Sequence, residues 1–182
     1  MMRAQEFNEQ VKAILCPALA DAGFKQVGSD FVRQHDYALL VLLRFGGSKF
    51  SSLCQFTRFM LCFRHVFLRD MDEVVPASHP KNGHAYPFKI RPSALADLSV
   101  PEWSYRFALN SEDYDEIEYG QLTDATSVLR RMGALVAIKG VEWGESFTID
   151  RASQLLEDHG SDAWCERLWI EDYRTRTSRL TE

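Results

Sequence analysis

The chain has 182 residues, of which 46% are apolar and 26% are charged, and its formal net charge is −5. This length and composition indicate a globular protein with a core of its own and exclude a disordered chain. No apolar run reaches the ~18 residues that a membrane-spanning helix needs, and the negative net charge disfavours a surface that binds nucleic acid throughout.

The N-terminal segment and the cysteines predict a cytoplasmic protein. Residues 1–12 include acidic side chains and lack the apolar stretch of a secretion signal. Cys16, Cys54, Cys62 and Cys165 lie among apolar neighbours, so we expect them to be reduced thiols in the core.

Residues 4–22 predict an amphipathic helix, because apolar residues recur there at steps of three and four. Gly23 predicts the end of this helix, since glycine readily takes the left-handed conformation that closes a helix. Pro17 predicts a kink or a split near Cys16, because proline has no N–H to donate within a helix.

The next part of the chain predicts a largely antiparallel sheet of about five or six strands with short connections. Residues 37–45 are apolar on both faces and are typical of a central strand. A loop is expected over 71–85, which contains prolines and an Asn-Gly pair. The predicted strands cover residues 24–27, 30–34, 37–45, 54–68, 86–91 and 103–109.

From residue 110 the apolar spacing becomes helical again. We expect a short helix containing Tyr114 and Ile117, and then a longer helix that is capped by Thr123. Residues 140–147 predict a loop or a short strand. Two final helices are expected over residues 151–158 and from Ser161 to about residue 176.

The predicted fold class is therefore α+β. An N-terminal helix packs on one face of a mostly antiparallel sheet, and C-terminal helices cover an edge or the other face. We expect a single domain over residues 1–182. It consists of a helix-plus-sheet part, residues 1–109, and a helical part, residues 110–182.

Residues 110–120 crowd five carboxylates together and contain no basic residue. Three interpretations are open: a solvated face, pairing with the protein's own basic residues, or a surface for a positively charged protein partner. In the third interpretation aromatic side chains supply anchors, although core packing is an alternative for Trp143. The candidate partner-binding residues are Glu112, Asp113, Tyr114, Asp115, Glu116, Glu118, Tyr119 and Trp143.

Basic residues alternate with apolar ones along the predicted strands. Because side chains alternate across a strand, these basic residues could share one sheet face. Such a face is solvated, covered by acidic helices, or a binding site for an anion, since guanidinium groups suit carboxylate and phosphate. The candidate anion-binding residues are Arg44, Arg58, Arg64, Lys89, Arg91 and Arg106.

No catalytic residue, metal ligand or cofactor is predicted. The chain lacks the G-x-S-x-G and H-E-x-x-H motifs. Cys62 and His65 have C-x-x-H spacing, but an odd offset on a strand places them on opposite faces. His79 and His84 lie in the predicted loop and have no acidic ligand close in sequence.

The first half of the chain resembles an uncharacterised bacterial family known only as a domain of unknown function. The resemblance rests on a leading helix, GFKQVGSDFVR at 23–33, an apolar strand at 37–45, FMLCFRHVFL at 59–68 and FKIRPSAL at 88–95. The small, cytoplasmic, bacterial character of the family is similar to that of immunity proteins, which neutralise toxins delivered by neighbouring cells. The resemblance implies no particular site residue.

Two functions follow as expectations. The first is a non-enzymatic immunity protein that neutralises a bacterial toxin, possessing an acidic surface that meets a basic toxin domain and binding neither nucleic acid nor membrane. The alternative is a small-molecule or anion-binding protein, or an enzyme, that uses the basic sheet face. The sequence does not distinguish the immunity protein from a regulatory domain whose protein partner is unrelated to toxins.

Overall fold

Residues 1–46, 55–97, 114–159 and 164–180 are described by the computed structural model. The strands are β1 (Lys25–Val27), β2 (Asp30–His35), β3 (Ala38–Gly46), β4 (Thr57–His65), β5 (Phe88–Ile90) and β6 (Asp115–Ile117). The helices are α1 (Ala4–Ala20), α2 (Thr126–Leu135), α3 (Val141–Glu145), α4 (Ile149–His159) and α5 (Trp164–Leu180). An N-terminal helix, an antiparallel sheet and C-terminal helices confirm the predicted α+β class.

The sheet is antiparallel and has the order β1-β2-β3-β4-β5, with β6 also paired to β4. The long β3–β4 pairing runs from Ala38 opposite His65 to Gly46 opposite Thr57. Strands β5 and β6 pair with successive parts of β4, so they lie end to end along one of its edges. The strand predicted over 103–109 lies outside the described residues.

Helix α1 runs through Pro17 as one continuous helix, so of the kink or split predicted near Cys16 the split is wrong. Pro17 is exposed, so the backbone hydrogen bond that it cannot donate is lost on the solvent side of the helix. Burial of the apolar stripe on the opposite side stabilises the helix by more than this loss costs. Gly23 closes the helix as predicted, with a φ of +84°. The buried stripe consists of Phe7, Val11, Leu15 and Leu19.

Residues 115–117 form a strand, so the short helix predicted around Tyr114 and Ile117 is wrong. Pairing with β4 overrides the helical spacing of Tyr114 and Ile117, and in this pairing Glu116 lies opposite Arg58. An oppositely charged pair directly across two strands stabilises their pairing. Residues 115–117 of the acidic stretch are thereby held against β4.

The helical region after residue 125 is longer than the sequence predicts. A π-helical turn, Val136–Gly140, joins α2 to α3, so the loop or short strand predicted over 140–147 is wrong. Gly140 and Gly144 let this region approach the sheet, since an added Cβ would lie 2.9 Å from Leu61 and 3.1 Å from Leu40.

Thr123 does not cap helix α2, which begins at Thr126. Instead the Asp124 carboxylate accepts hydrogen bonds from the Thr126 N–H at 2.9 Å and from its hydroxyl at 2.6 Å. These bonds lower the pKa of Asp124. The helix predicted over 151–158 is confirmed as α4, and the final helix is confirmed as α5, whereas Ser161 lies outside the described residues.

The two faces of the sheet are covered by different kinds of structure. On the first face, Leu40 and Leu61 belong to one buried cluster with apolar residues of α1, α2, α4 and α5. On the second face, Cys62 belongs to a smaller cluster with Ala85 and Tyr86, which lie in the loop after β4. The C-terminal helices therefore pack on the same face as α1, so their predicted placement over the other face is wrong.

The segment that joins β4 to β5, residues 66–87, is called the covering loop below. It contains the loop predicted over 71–85, with one 3₁₀ turn at Gly83–Ala85. Cys62 and Cys165 are buried and Cys16 is half-buried, and all three are free thiols. No helix in the described part of the chain combines the length and apolar character needed to cross a bilayer.

His65 is buried at the end of β4, where its Nδ1 lies 2.7 Å from the hydroxyl of Tyr173 on α5. Burial depresses the pKa of His65 to about 4. The folded protein therefore holds this imidazole neutral at pH values where an unfolded chain protonates it. The contribution of the neutral His65 side chain to the free energy of unfolding is fully present above pH ~6.5 and is lost as the pH falls toward 4.

We expect the His65→Gln variant to lose part of this pH dependence. Wild-type protein should lose about 2 kcal/mol of unfolding free energy through His65 between pH 7 and pH 5, because only the unfolded state binds the proton. Urea unfolding at both pH values measures the difference. His35→Gln, at an exposed histidine, is the matched control, and equal pH slopes for wild type and His65→Gln would contradict the assignment.

Candidate functional site

The structure does not bring the predicted anion-binding residues onto one face. Arg44 lies on the first face, where its guanidinium carbon stands 5.3 Å from the centre of the Phe7 ring. Arg58 and Arg64 have the same strand parity as Cys62 and lie on the second face. Arg91 is exposed beyond the end of β5, and Arg106 lies outside the described residues.

The basic residues of the second face are mostly covered. Arg64 is 1% exposed, and it donates hydrogen bonds to the carbonyl groups of Ala85, at 2.7 Å, and of Leu68. Burial lowers the pKa of Arg64. Lys89 is also only 1% exposed. Neither side chain is accessible to an anion from solution.

The described carboxylates of the stretch 110–120 are engaged within the chain. Glu116 pairs with Arg58 at 2.7 Å. Asp115 accepts hydrogen bonds from the N–H of Ser93 at 2.6 Å and from its hydroxyl at 2.5 Å. Glu118 accepts one from the side chain of Gln121. Glu112 and Asp113 lie outside the described residues.

The aromatic residues proposed as anchors also have partners inside the molecule. Tyr119 is 6% exposed, and its ring stacks on Phe7 at a centroid distance of 4.5 Å. Tyr114 is half-buried beneath the Arg58 guanidinium, at 4.7 Å. Trp143 is half-buried and meets the Phe147 ring edge to face at 4.9 Å. Tyr119 is therefore a core residue. Trp143 packs against the core, which was the alternative to its role as an exposed anchor.

A buried polar cluster joins the covering loop to strand β2. The Asp30 carboxylate is 4% exposed, and its Oδ2 lies 3.1 Å from His79 Nε2 and 3.0 Å from Lys81 Nζ. Its Oδ1 accepts the backbone N–H of Arg44 at 3.0 Å. Sequence spacing could not reveal this pairing, because 49 residues separate Asp30 from His79.

Asp30 and His79 are the buried members of this cluster, whereas the Lys81 side chain is 62% exposed at its margin. The His79 side chain is 5% exposed, and its Nε2 is directed at Asp30 and Lys81. Among the residues that the structure describes, no group of three or more His, Cys, Asp or Glu side chains could hold a metal ion. The cluster therefore fastens one end of the covering loop.

The other end of the covering loop is fastened to helix α5. The Arg69 guanidinium pairs with Asp172 at 2.6 Å and with Glu171 at 2.6 Å. The Arg69 N–H also donates to Asp172 at 2.8 Å, and the Trp169 indole N–H donates to the Arg69 carbonyl at 3.0 Å. Residues 70–75, called the tip below, lie between these two attachments.

The tip is closed by its own hydrogen bonds. The Asp70 N–H donates to the Val74 carbonyl at 2.9 Å, and the Glu73 N–H donates to the Asp70 carbonyl at 2.9 Å. The Asp72 carboxylate accepts the Val74 N–H at 3.2 Å. Glu73 takes the left-handed conformation that this turn requires, with a φ of +62°.

The tip exposes apolar side chains. Met71 is 55% exposed, Val74 is 59% exposed and Val75 is 46% exposed. They are three of the eight large apolar side chains that the described residues expose, and they fall within five consecutive positions. Asp72 and Glu73 are exposed beside them. The sequence predicted only a loop here, although its MDEVV run combines apolar and acidic residues.

Comparison with known proteins leaves the family of this chain open. A scan against protein-family models found no matching family, and searches of curated proteins and of solved structures found no match. The resemblance to an uncharacterised bacterial family therefore stays a prediction.

We expect the Asp30→Asn variant to loosen the covering loop. The amide removes the negative charge that His79 and Lys81 face, at a cost of about 1–3 kcal/mol for a buried polar group. Hydrogen exchange across residues 71–85 should accelerate relative to the wild-type protein. Asp36→Asn, at an exposed carboxylate, is the control, and unchanged exchange in Asp30→Asn would show that the cluster does not hold the loop.

Proposed function

We propose that this chain is a binding protein for a positively charged protein partner, and that the tip is its recognition surface. One observation carries the proposal. Three exposed apolar side chains project from a turn that is attached at both ends and that also carries carboxylates. The proposal extends to a cytoplasmic immunity protein whose partner is a basic toxin domain.

Interfaces take most of their binding energy from a few apolar or aromatic side chains that lose water on contact. Met71, Val74 and Val75 meet this description, and methionine also adapts its shape to a partner. Attachment of the tip at Arg69 and at His79 reduces the conformational entropy that binding would otherwise cost. The tip is thus prepared for contact before a partner arrives.

Charge complementarity decides which kind of partner fits the tip. Asp70, Asp72 and Glu73 give it a negative rim, which would favour a basic surface and accelerate its approach. The stretch 110–120 was predicted to meet the same partner. Its Asp115 and Glu116 already have partners within the chain, so the tip is the stronger candidate.

The free thiols of Cys16, Cys62 and Cys165 support the cytoplasmic setting of this proposal. An immunity protein acts inside the cell that it protects and needs a stable binding surface more than a catalytic group. Association with an unrelated regulatory partner would use the same surface chemistry. Growth protection separates these two roles.

The immunity role is tested with the protein encoded by the adjacent reading frame. Expression of that neighbour alone should arrest growth, and co-expression of this chain should restore growth. A neighbour that is harmless when expressed alone, or growth arrest that persists on co-expression, would refute the immunity role while leaving binding through the tip to its own test.

We expect the Met71→Ser/Val74→Ser double variant to weaken binding to this neighbour by about tenfold or more, because the truncated side chains supply the desolvated contact area. Isothermal titration calorimetry measures the affinity. Ile138→Ser, at an exposed apolar residue outside the tip, is the matched control. Equal affinities for wild type and the double variant would remove the tip from the interface.

A charge variant examines the negative rim separately. Asp72→Asn/Glu73→Gln should slow association and flatten its dependence on salt, with little effect on dissociation. Stopped-flow mixing at low and high salt gives both rates. Glu142→Gln/Asp158→Asn removes two exposed charges elsewhere and should leave the association rate unchanged.

A further inference from the structure

A cavity of about 510 Å³ lies between helix α1 and the end of the sheet where β3 finishes and β4 begins. Lys12 and Arg44 contribute its charged side chains, and none of its described lining residues is acidic. Ser29 and Thr57 add hydroxyl groups, whereas Phe56 and Tyr119 add aromatic surface. The volume lies within the range of about 300–1,000 Å³ that is usual for small-molecule sites.

Arg44 is held in place by neutral groups. Its Nη2 donates to Asn8 Oδ1 at 2.6 Å, and its Nε donates to Thr57 Oγ1 at 3.1 Å. Its guanidinium carbon stands 5.3 Å from the centre of the Phe7 ring and 5.9 Å from that of Phe59. A guanidinium has five N–H donors, and acceptors among the described residues take two of those of Arg44. The others are open to a further acceptor as far as the described residues are concerned.

No carboxylate among the described residues pairs with the Arg44 guanidinium. Asp30 is the nearby acid, but its two oxygens receive the Arg44 backbone N–H and the side chains of Lys81 and His79. Burial lowers the pKa of Arg44 despite the opposing effects of Tyr119 and Asp30. A half-buried cation that is oriented by neutral groups has the electrostatic character of an anion site.

We propose that this cavity binds a small organic oxyanion, with Arg44 as its principal contact. The open N–H groups of Arg44 match two oxygens of a carboxylate or a phosphate monoester, and Lys12 supplies a second positive charge at the mouth. Phe56 and Tyr119 offer apolar surface for the body of the ligand. This site involves no residue of the tip and stands apart from the proposed protein partner.

The site is tested by calorimetry with inorganic phosphate, adenosine monophosphate and benzoate as probes. At least one probe should bind, and Arg44→Gln should weaken its binding by about tenfold or more, because charged hydrogen bonds to an oxyanion are lost. Binding by the phosphate compounds alone assigns a phosphate ligand, and binding by benzoate alone assigns a carboxylate ligand. The absence of heat with all three probes at millimolar concentration would overturn the proposal.

Three further variants make the assignment specific. Lys12→Gln, at an exposed residue, should weaken binding even if Arg44→Gln fails to fold, and Arg44→Lys should retain part of the affinity. Arg131→Gln, at an exposed arginine on α2 outside the cavity, removes the same charge and should leave binding unchanged. Equal losses of affinity in Lys12→Gln and Arg131→Gln would show that binding depends on net charge alone, and they would overturn the site.

Discussion

The covering of the second sheet face is the constraint on which the rest of the structure depends. The described helices pack on the first face, so the apolar side chains of the second face, such as Cys62 and Met60, need another cover. A loop has little apolar surface of its own and many backbone polar groups that must be satisfied. The chain resolves this by attaching the covering loop through polar groups at several points.

Two buried charges serve this attachment in opposite ways. Arg64 donates to carbonyl groups of the covering loop, which would otherwise be left without partners beneath it. Asp30 accepts from donors on the loop and from the backbone of β3. Burying either charge alone would cost several kcal/mol, so each is stabilising only with its full set of partners. Their partners in the covering loop lie on both sides of the tip.

The sequence predicted those features that depend on local pattern. Phe59, Leu61 and Phe63 lie on one face of β4, and Met60 and Cys62 lie on the other, as the alternation of side chains along a predicted strand leads one to expect. The fold class and the antiparallel pairing followed from the same reasoning, whereas the order of the strands did not. These features define the fold, but they do not identify the residues of a binding site.

Features that depend on contacts between distant residues were not predicted. Pairing of Asp30 with His79 needs the sheet to be built first, and no local signal marks either residue. Gly140 and Gly144 indicated a loop, whereas their real role is close packing of a helix on the sheet. Glu116 became part of a strand because Arg58 was available across it. In each case tertiary contact outweighed local propensity.

Local charge, and not the net charge of −5, sets what each surface can bind. The Debye length is about 8 Å at physiological salt, so exposed charges act mainly on groups nearby. The Arg58–Glu116 pair is about one-third exposed, and such pairs contribute at most about 1 kcal/mol, so it fixes β6 more than it stabilises the fold. The two proposed sites carry opposite local charge: the rim of the tip is acidic, and the charged side chains of the cavity that the structure describes are basic.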